Sequence, residues 1–347
     1  MDINDYNPNA PGVKNGRFMG FPFYEQDARC ILLPVPWDVT TSYADGTASA
    51  PDNILQASDQ LDLGDRTFPH HWKRGIYMLE TDSEIKRWSD LHRIRAAEVI
   101  GAWEAGEDVK NSDHWPGVLS AVNQASRQLN DRVYDLASHH LNQQKKVLLI
   151  GGDHSTPLGY MKALAERYDN LGMLQIDAHC DLRKAYEGFI YSHASIMYNV
   201  LNEIPQVSKL VQVGIRDWCP EEMSRIRESS DRITTHFMHD LDKALFEGQN
   251  WDEVCSQIVA GLPQYVYLTL DIDGLDPVYC PNTGTPVPGG MTYSQLMFLL
   301  ESIPRSGRQI VGADLVEVGG IPHEWDGNVG ARLAYKLALL LLDGVGI

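Results

Sequence analysis

Three apolar runs in this chain end directly in short motifs that are rich in aspartate and histidine. The run 147–150 leads into Gly-Gly-Asp-His-Ser (151–155), the run 173–176 into Asp-Ala-His-Cys-Asp (177–181), and the run 266–270 into Asp-Ile-Asp-Gly-Leu-Asp-Pro (271–277). Short runs of this kind are typical of buried strands in parallel sheets. Since the carboxyl ends of parallel strands share one edge of an open α/β sheet, the fold would gather these motifs in one place.

The pattern around the motifs predicts a parallel sheet. A first strand is expected at 30–36, and beyond residue 145 strands alternate with helices, with strands at 146–150, 172–176, 209–214, 232–237, 265–271 and 308–314. This alternation is typical of βαβ units with right-handed crossovers. Composition shows no linker, so we expect an N-terminal arm over 1–28, rich in Pro, Gly and Asn, followed by one catalytic domain over 29–347.

Composition limits the classes of function. The formal net charge of −18 argues against nucleic-acid binding, which needs a basic surface. No apolar run is long enough for a membrane span, and the polar start of the chain does not resemble a signal peptide. The five cysteines are scattered and odd in number, which favours a reducing, cytoplasmic compartment.

The acidic motifs have the ligand types of a metal site. Asp177, His179 and Asp181 follow one another at every second position, so on an extended strand end they would share one face, and Asp271 and Asp273 repeat the spacing. Carboxylates and imidazoles without thiolates suit Mn²⁺, with Ni²⁺ or Co²⁺ as alternatives. Two divalent ions about 3.5 Å apart produce a hydroxide nucleophile at neutral pH, which points to hydrolysis.

These motifs resemble those of the arginase, agmatinase and formimidoylglutamase (ureohydrolase) superfamily. The resemblance rests on the motifs at 151–155 and 176–181, on the long run 270–292 and on Asp-Leu-Val-Glu-Val (314–318), and it extends over roughly residues 29 to 345. It implies a three-layer α/β/α fold with a mostly parallel sheet and a binuclear Mn²⁺ site at the edge of that sheet. It further implies attack of a hydroxide on the carbon of a guanidinium or amidine, with loss of an amine or ammonia.

The resemblance also implies a ligand set for each metal position. One ion would take His154, Asp177, Asp181 and Asp271, and the other would take His179, Asp177, Asp271 and Asp273. Asp177 and Asp271 would therefore bridge the two ions.

Two further residues match functional positions of the superfamily. His193 would transfer a proton to the leaving nitrogen or from water, since histidine titrates near neutrality. The alternative for His193 is a loop side chain packed against Tyr191 or Tyr198. Glu317 would hold the guanidinium in a bidentate contact, and its alternative is a salt bridge to Arg216 or Arg332.

The chain departs from the arginase pattern where arginases bind the amino-acid end of their substrate. Arg183 stands at the position of an asparagine and Cys219 at that of an aspartate, which puts arginine as substrate in doubt. An arginine at position 183 resembles the pattern of the formimidoylglutamases, in which it would receive a substrate carboxylate. The presence of His193 favours guanidino substrates instead. An aromatic loop over 184–191 either narrows the pocket for a small guanidine or simply packs.

We therefore expect a hydrolase that releases urea from a small cationic guanidino compound, similar to guanidine-hydrolysing, agmatinase-like members. Formimidoylglutamate hydrolysis and arginase activity are the alternatives. A regulatory protein without activity is disfavoured because every matched position is intact, and a histone-deacetylase-like enzyme is disfavoured by Asp271, Asp273 and His154 together. The resemblance implies a homotrimer or homohexamer.

Overall fold

The described residues form an eight-stranded sheet in which every pairing is parallel. The computed structural model describes residues 6–10 and 12–344; residues 1–5, 11 and 345–347 of the expected arm and domain lie outside this part. The strands are β1 (Cys30–Val35), β2 (Ile76–Met78), β3 (Lys146–Gly151), β4 (Leu171–Ile176), β5 (Val207–Ile215), β6 (Ile233–Phe237), β7 (Tyr265–Asp271) and β8 (Gln309–Val316). Their spatial order is β2-β1-β3-β8-β7-β4-β5-β6.

Ten α-helices accompany these strands in the described part of the chain. They are α1 (Ala50–Ser58), α2 (Ser83–Glu104), α3 (Trp115–Asn142), α4 (Leu158–Ala165), α5 (Ile196–Glu203), α6 (Pro220–Glu228), α7 (Met238–Phe246), α8 (Trp251–Ala260), α9 (Tyr293–Arg305) and α10 (Trp325–Leu341). One apolar core joins the sheet to α1 and to helices α7 to α10, and a second core joins its other face to helices α2 to α5. The expected three-layer α/β/α fold is confirmed.

The central strands are covered on both faces, which explains their composition. The side chains of β1 and β4 are buried along their whole length, as are those of β3, β7 and β8 after the first residue. A parallel strand between two helical layers has no solvated face, so apolar residues occupy consecutive positions instead of alternating. For this reason the strand ends, where polar residues begin, could be located in the sequence.

Two elements were not foreseen. Strand β2 has only three residues and lies at the edge of the sheet, so it leaves little periodic signal. Helix α7 begins at Met238, directly after β6 ends at Phe237, so no turn residues separate the two elements. The sequence also indicates a helix at 156–168 between β3 and β4, and the structure has a shorter one, Leu158–Ala165.

The aromatic part of the expected arm, residues 18–23, packs on its own chain. Phe18, Phe21 and Phe23 are buried, and the ring of Phe21 stacks on that of Trp72 with 6.0 Å between centroids. The backbone N–H of Met19 donates to the buried hydroxyl of Ser58 at the end of α1. The division into an arm and one catalytic domain stays a prediction. Within the described residues, no helix combines the length and the apolar character needed to cross a membrane.

A tight helix contact behind the sheet gives a test of the packing. At Gly159 in α4, an added Cβ would lie 2.0 Å from the carbonyl oxygen of Asn130 in α3. We expect Gly159→Ala to lower the free energy of unfolding by about 1–3 kcal/mol, because the two helices must separate. The helical Gly101 in α2 has open space around it, so Gly101→Ala should raise stability by up to about 1 kcal/mol. Equal unfolding midpoints for the two variants in thermal denaturation would contradict this packing.

Candidate metal centre and substrate cavity

The polar motifs follow four strands that are neighbours in the middle of the sheet. His154 follows β3, Glu317 follows β8, Asp271 ends β7, and residues 177–181 follow β4, in the spatial order β3-β8-β7-β4. These strands are far apart in sequence, but their carboxyl ends form one edge. The structure therefore brings together all the site residues that the sequence indicated.

Residues 177–181, after β4, and Asp273, after β7, do not continue the extended strands, contrary to the prediction. The carboxylate of Asp177 accepts from the backbone N–H of His179, 2.6 Å away, and that of Asp271 accepts from the N–H of Asp273, 2.8 Å away. Each aspartate thereby bonds to the residue two positions ahead, which is the Asx turn that competes with extended structure. The chain curls around each carboxylate, and Asp181 has a positive φ of 54°.

One set of candidate metal ligands surrounds His154. Its Nδ1 lies 2.9 Å from a carboxylate oxygen of Asp181, 3.0 Å from Asp177 Oδ2 and 3.4 Å from Asp271 Oδ2. This nitrogen is buried and makes no hydrogen bond of acceptable geometry among the described residues. Neighbouring ligands of an octahedral ion with bonds of about 2.1 Å lie about 3 Å apart, so the spacing fits a divalent ion.

A second set surrounds His179 and shares Asp177 with the first. The Nδ1 of His179 lies 3.1 Å from Asp273 Oδ2 and 3.6 Å from Asp177 Oδ1. The two oxygens of Asp177 therefore face different imidazoles. A carboxylate in this position can join two ions, which agrees with the bridging role that the resemblance implied.

The tautomer of His154 is set by a contact at Nε2, the ring nitrogen that does not face the carboxylates. Its Nε2 lies 2.8 Å from the hydroxyl oxygen of Thr269, and that hydroxyl donates to Asp314 at 2.9 Å. Because the hydroxyl hydrogen is used on Asp314, Thr269 accepts from Nε2–H, and Nδ1 is the nitrogen that faces the carboxylates.

The electrostatics of the centre favour bound cations. Burial raises the pKa of Asp181 to about 7, and the neighbouring Asp177 adds to the shift; burial and Asp273 raise the pKa of Asp271 well above its usual range. Burial alone would raise the pKa of Asp177, but the imidazoles of His154 and His179 hold it well below its usual range. Ionised carboxylates this close repel one another, and positive charge between them offsets both repulsion and burial.

A cavity of about 160 Å³ opens beside these residues. Its wall includes four candidate metal-binding residues together with Arg183, Tyr186, His193 and Glu317. Pockets for drug-sized ligands typically measure about 300–1,000 Å³, so this one suits a small substrate.

Glu317 lines the cavity and has one carboxylate oxygen without a hydrogen-bond partner among the described residues. The backbone N–H of His154 donates to Oε1 at 2.9 Å, while Oε2 has no hydrogen-bond partner in the part of the chain that is described. Neither alternative partner binds it: Arg216 donates to backbone carbonyls, among them that of Asp273, and Arg332 donates to Asn328. Burial, followed by repulsion from Asp153, raises the pKa of Glu317 well above its usual range, so a cation in contact with Oε2 would be strongly favoured.

His193 lies on the cavity wall and packs against Tyr186 rather than Tyr191 or Tyr198. The two rings are nearly perpendicular, with 5.9 Å between centroids. Burial, with smaller contributions from His179 and His154, lowers the pKa of His193 to about 3. The ring is therefore neutral at physiological pH, whereas the sequence argument assumed titration near neutrality.

The aromatic loop only partly narrows the pocket. Tyr186 lines the cavity, with the guanidinium of Arg183 over its ring at 5.0 Å, whereas Phe189 is fully buried and Tyr191 packs against the core. Cys219 precedes α6 and is not among the lining residues, but its neighbour Trp218 is. Trp218 was not foreseen, because a single exposed aromatic residue in a loop carries no distinctive pattern.

The comparisons with known proteins agree with this arrangement. The sequence profile described as "Arginase family" matches residues 28–342. An N(1)-aminopropylagmatine ureohydrolase of Thermus thermophilus is 32% identical over 295 residues, which cover 84% of this chain and 83% of the relative. An agmatinase of Bacillus cereus is 29% identical, with 91% and 92% of the two chains covered.

The fold has solved counterparts as well. The proclavaminate amidino hydrolase of Streptomyces clavuligerus superposes with a TM-score of 0.70 at 20% identity, covering 96% of this chain and 99% of its own. The chain belongs to the arginase family, a family of hydrolases that act on carbon–nitrogen bonds at a binuclear divalent metal site.

The position of the aromatic loop rests on a clamp from α3. Asn123 donates to the carbonyl oxygen of Gly188 at 3.1 Å and accepts from the N–H of Ile190 at 2.7 Å. We expect Asn123→Ala to accelerate hydrogen exchange in the segment 184–191 by about five- to hundredfold, since the two lost bonds together contribute about 1–3 kcal/mol. Mass spectrometry of deuterated peptides measures this. The exposed neighbour Gln124 makes no such contact, so Gln124→Ala is the matched control. Equal exchange in both variants would refute the clamp.

Proposed function

We propose that this protein hydrolyses a small guanidino compound to urea and an amine or ammonia. The observation that carries the proposal is the pair of donor sets sharing Asp177 beside a small cavity lined by Glu317, whose Oε2 has no hydrogen-bond partner among the described residues. The relatives named for aminopropylagmatine and agmatine act on guanidino groups, which supports the same class of substrate here.

We assign the metal-binding residues as the two sets that the sequence indicated. His154, Asp177, Asp181 and Asp271 would hold one ion, and His179, Asp177, Asp271 and Asp273 the other. We propose Mn²⁺ as the physiological metal and Ni²⁺ as the alternative, because both accept nitrogen and oxygen ligands. When bound, such a pair lowers the pKa of water and offsets negative charge that develops during the reaction.

The remaining roles follow from the residues of the cavity wall. Glu317 would hold the planar cation through Oε2, which places the guanidinium carbon beside the metal-binding edge. Addition of one water across a C–N bond yields urea and a free amine, and a proton must reach the leaving nitrogen. The neutral ring of His193 lies on the same wall and would carry that proton.

One observation favours a different substrate. Arg183 lines the cavity and is a natural partner for a carboxylate, as formimidoylglutamate would require. That reaction releases formamide and glutamate without urea. Arginine is less favoured, because Cys219, at the position of the arginase aspartate, is absent from the cavity wall and pairs poorly with an ammonium.

Product release by the metal-loaded protein tests the function. Mn²⁺ and Ni²⁺ forms would be assayed separately for urea and formamide on guanidine, agmatine, arginine, guanidino acids and formimidoylglutamate. Urea from a guanidino compound supports the proposal. Formamide from formimidoylglutamate without urea would replace the substrate and keep the metal-dependent hydrolysis.

The cellular setting and assembly are proposals too. The five cysteines are free thiols in the described structure, which agrees with a cytoplasmic location. We propose a homotrimer or homohexamer, and light scattering after gel filtration would distinguish these from a monomer.

The ligand assignment predicts a loss of metal. His154→Ala and Asp273→Ala should each remove at least one of two ions per chain, because each side chain belongs to one donor set. Asp276 belongs to the same motif as Asp273 but only caps a turn at the N–H of Val278, so Asp276→Ala should retain both ions. Elemental analysis of the purified variants measures the metal content. Two ions per chain in the first two variants would refute the assignment.

The guanidinium role of Glu317 predicts a loss of activity without loss of metal. Glu317→Gln removes the charge that the cation contacts, so kcat/KM should fall about ten- to hundredfold while both ions remain bound. Glu324→Gln, outside the cavity wall, is the control. Unchanged kinetics in Glu317→Gln would exclude this role.

A further inference from the structure

A row of buried polar side chains crosses the sheet, two residues before the metal-binding positions on β4 and β7. Its members are lateral neighbours on five adjacent strands: Thr235 on β6, Gln212 on β5, Gln175 on β4, Thr269 on β7 and Asp314 on β8. All but Thr235 are fully buried. A polar group inside a sheet costs free energy unless it is hydrogen-bonded, so a row of them among apolar strands calls for a specific use.

One half of the row ends on the carboxylate that the two donor sets share. The amide of Gln175 donates to Asp177 Oδ2 at 2.8 Å and to the carbonyl oxygen of His179 at 3.2 Å. Both partners are acceptors, so the NH₂ group of Gln175 must face the metal-binding residues.

The next two strands hold that amide in place. Gln212 donates to Gln175 Oε1 at 2.7 Å and to the carbonyl oxygen of Cys180 at 2.8 Å, and the hydroxyl of Thr235 donates to Gln212 Oε1 at 2.8 Å. Each amide oxygen is thus occupied by a donor from the next strand. If the Gln175 amide were rotated by half a turn, its NH₂ group would face the NH₂ group of Gln212, and its oxygen would face the acceptor oxygens of Asp177 and His179. Neither arrangement is a hydrogen bond.

The other half of the row contacts His154. The hydroxyl of Thr269 lies against the Nε2 of His154 and donates to Asp314 on the next strand. The row therefore contacts two metal-binding residues, Asp177 and His154, whose facing atoms are 3.0 Å apart. Polar contacts behind a ligand fix its orientation, and their loss typically weakens metal binding about 10–100-fold.

We propose that Gln175 is a positioning residue that fixes the plane of the Asp177 carboxylate, with Gln212 and Thr235 holding the Gln175 amide in its donating orientation. The N–H of Gln175 secures Oδ2 and the backbone N–H of His179 secures Oδ1, so that each oxygen faces a different donor set. This inference rests on the metal-ligand assignment of the proposed function.

Gln175→Met tests the inference, because methionine has a similar length and volume but cannot donate. Binding of Mn²⁺ would be measured by calorimetry and by competition with a chelating dye, and the spectrum of the coupled ion pair by electron paramagnetic resonance. We expect about 10–100-fold weaker Mn²⁺ binding and an altered pair spectrum. A merely structural role would instead lower the unfolding midpoint of the metal-free protein and leave metal affinity unchanged.

Gln212→Met and Thr235→Val give a graded series. Gln212→Met leaves the Gln175 donor in place but releases its amide, so its loss of affinity should be smaller, and that of Thr235→Val smaller again. If Gln175→Met does not fold, Gln212→Met decides the matter: weaker Mn²⁺ binding supports the inference and wild-type binding overturns it.

The outcomes separate this inference from the function on which it rests. A folded Gln175→Met protein with wild-type affinity for two ions and an unaltered pair spectrum overturns the inference and leaves the proposed function intact. A wild-type chain that binds no pair of ions overturns both.

Discussion

Buried negative charge at the carboxyl edge of the sheet is the constraint on which the rest of the structure depends. Asp177, Asp181, Asp271 and Asp273 are each no more than 5% exposed and lie around two imidazoles. An uncompensated buried carboxylate costs several kcal/mol, so the surroundings must supply donors and positive charge. Backbone N–H groups, His154 and His179 supply part of this, and divalent cations would supply the remainder.

The backbone near the candidate metal centre is strained at two residues whose side chains face it. Asp181 and Glu317 both have positive φ values, of 54° and 60°, which side-chain-bearing residues seldom adopt. Such conformations persist only where the surroundings over-determine them, and they cluster at functional sites. The carbonyl oxygen of Asp181 accepts from two N–H groups at the start of α5, and that of Glu317 accepts from Thr283. These bonds hold the strained residues in place.

The sequence predicted the positions of most strands along the chain and the grouping of the site, because both depend on local apolar runs. The buried strands β3, β4 and β7 are mostly apolar and carry no acidic residue before their ends, so the first acidic residue marks the edge of the sheet. The local path of 177–181 was predicted wrongly, since the Asx turn at Asp177 competes with extension. The sequence left open whether the aromatic loop narrows the pocket or packs, because burial of Phe189 depends on contacts with distant elements. Gln175 and Gln212 passed unnoticed, although a polar residue within an apolar strand was the available signal.

The position of β8 has a consequence for synthesis of the chain. This strand is the last to be made, yet it lies between β3 and β7 and joins the three-stranded group β2-β1-β3 to the four-stranded group β7-β4-β5-β6. Until it emerges from the ribosome, His154 and Asp177 belong to separate halves of an unfinished sheet. Contacts between distant segments form late because loop closure must precede them. The donor set around His154 combines residues from both halves, so it can form only after β8 has joined them, whereas the set around His179 draws on β4 and β7 alone.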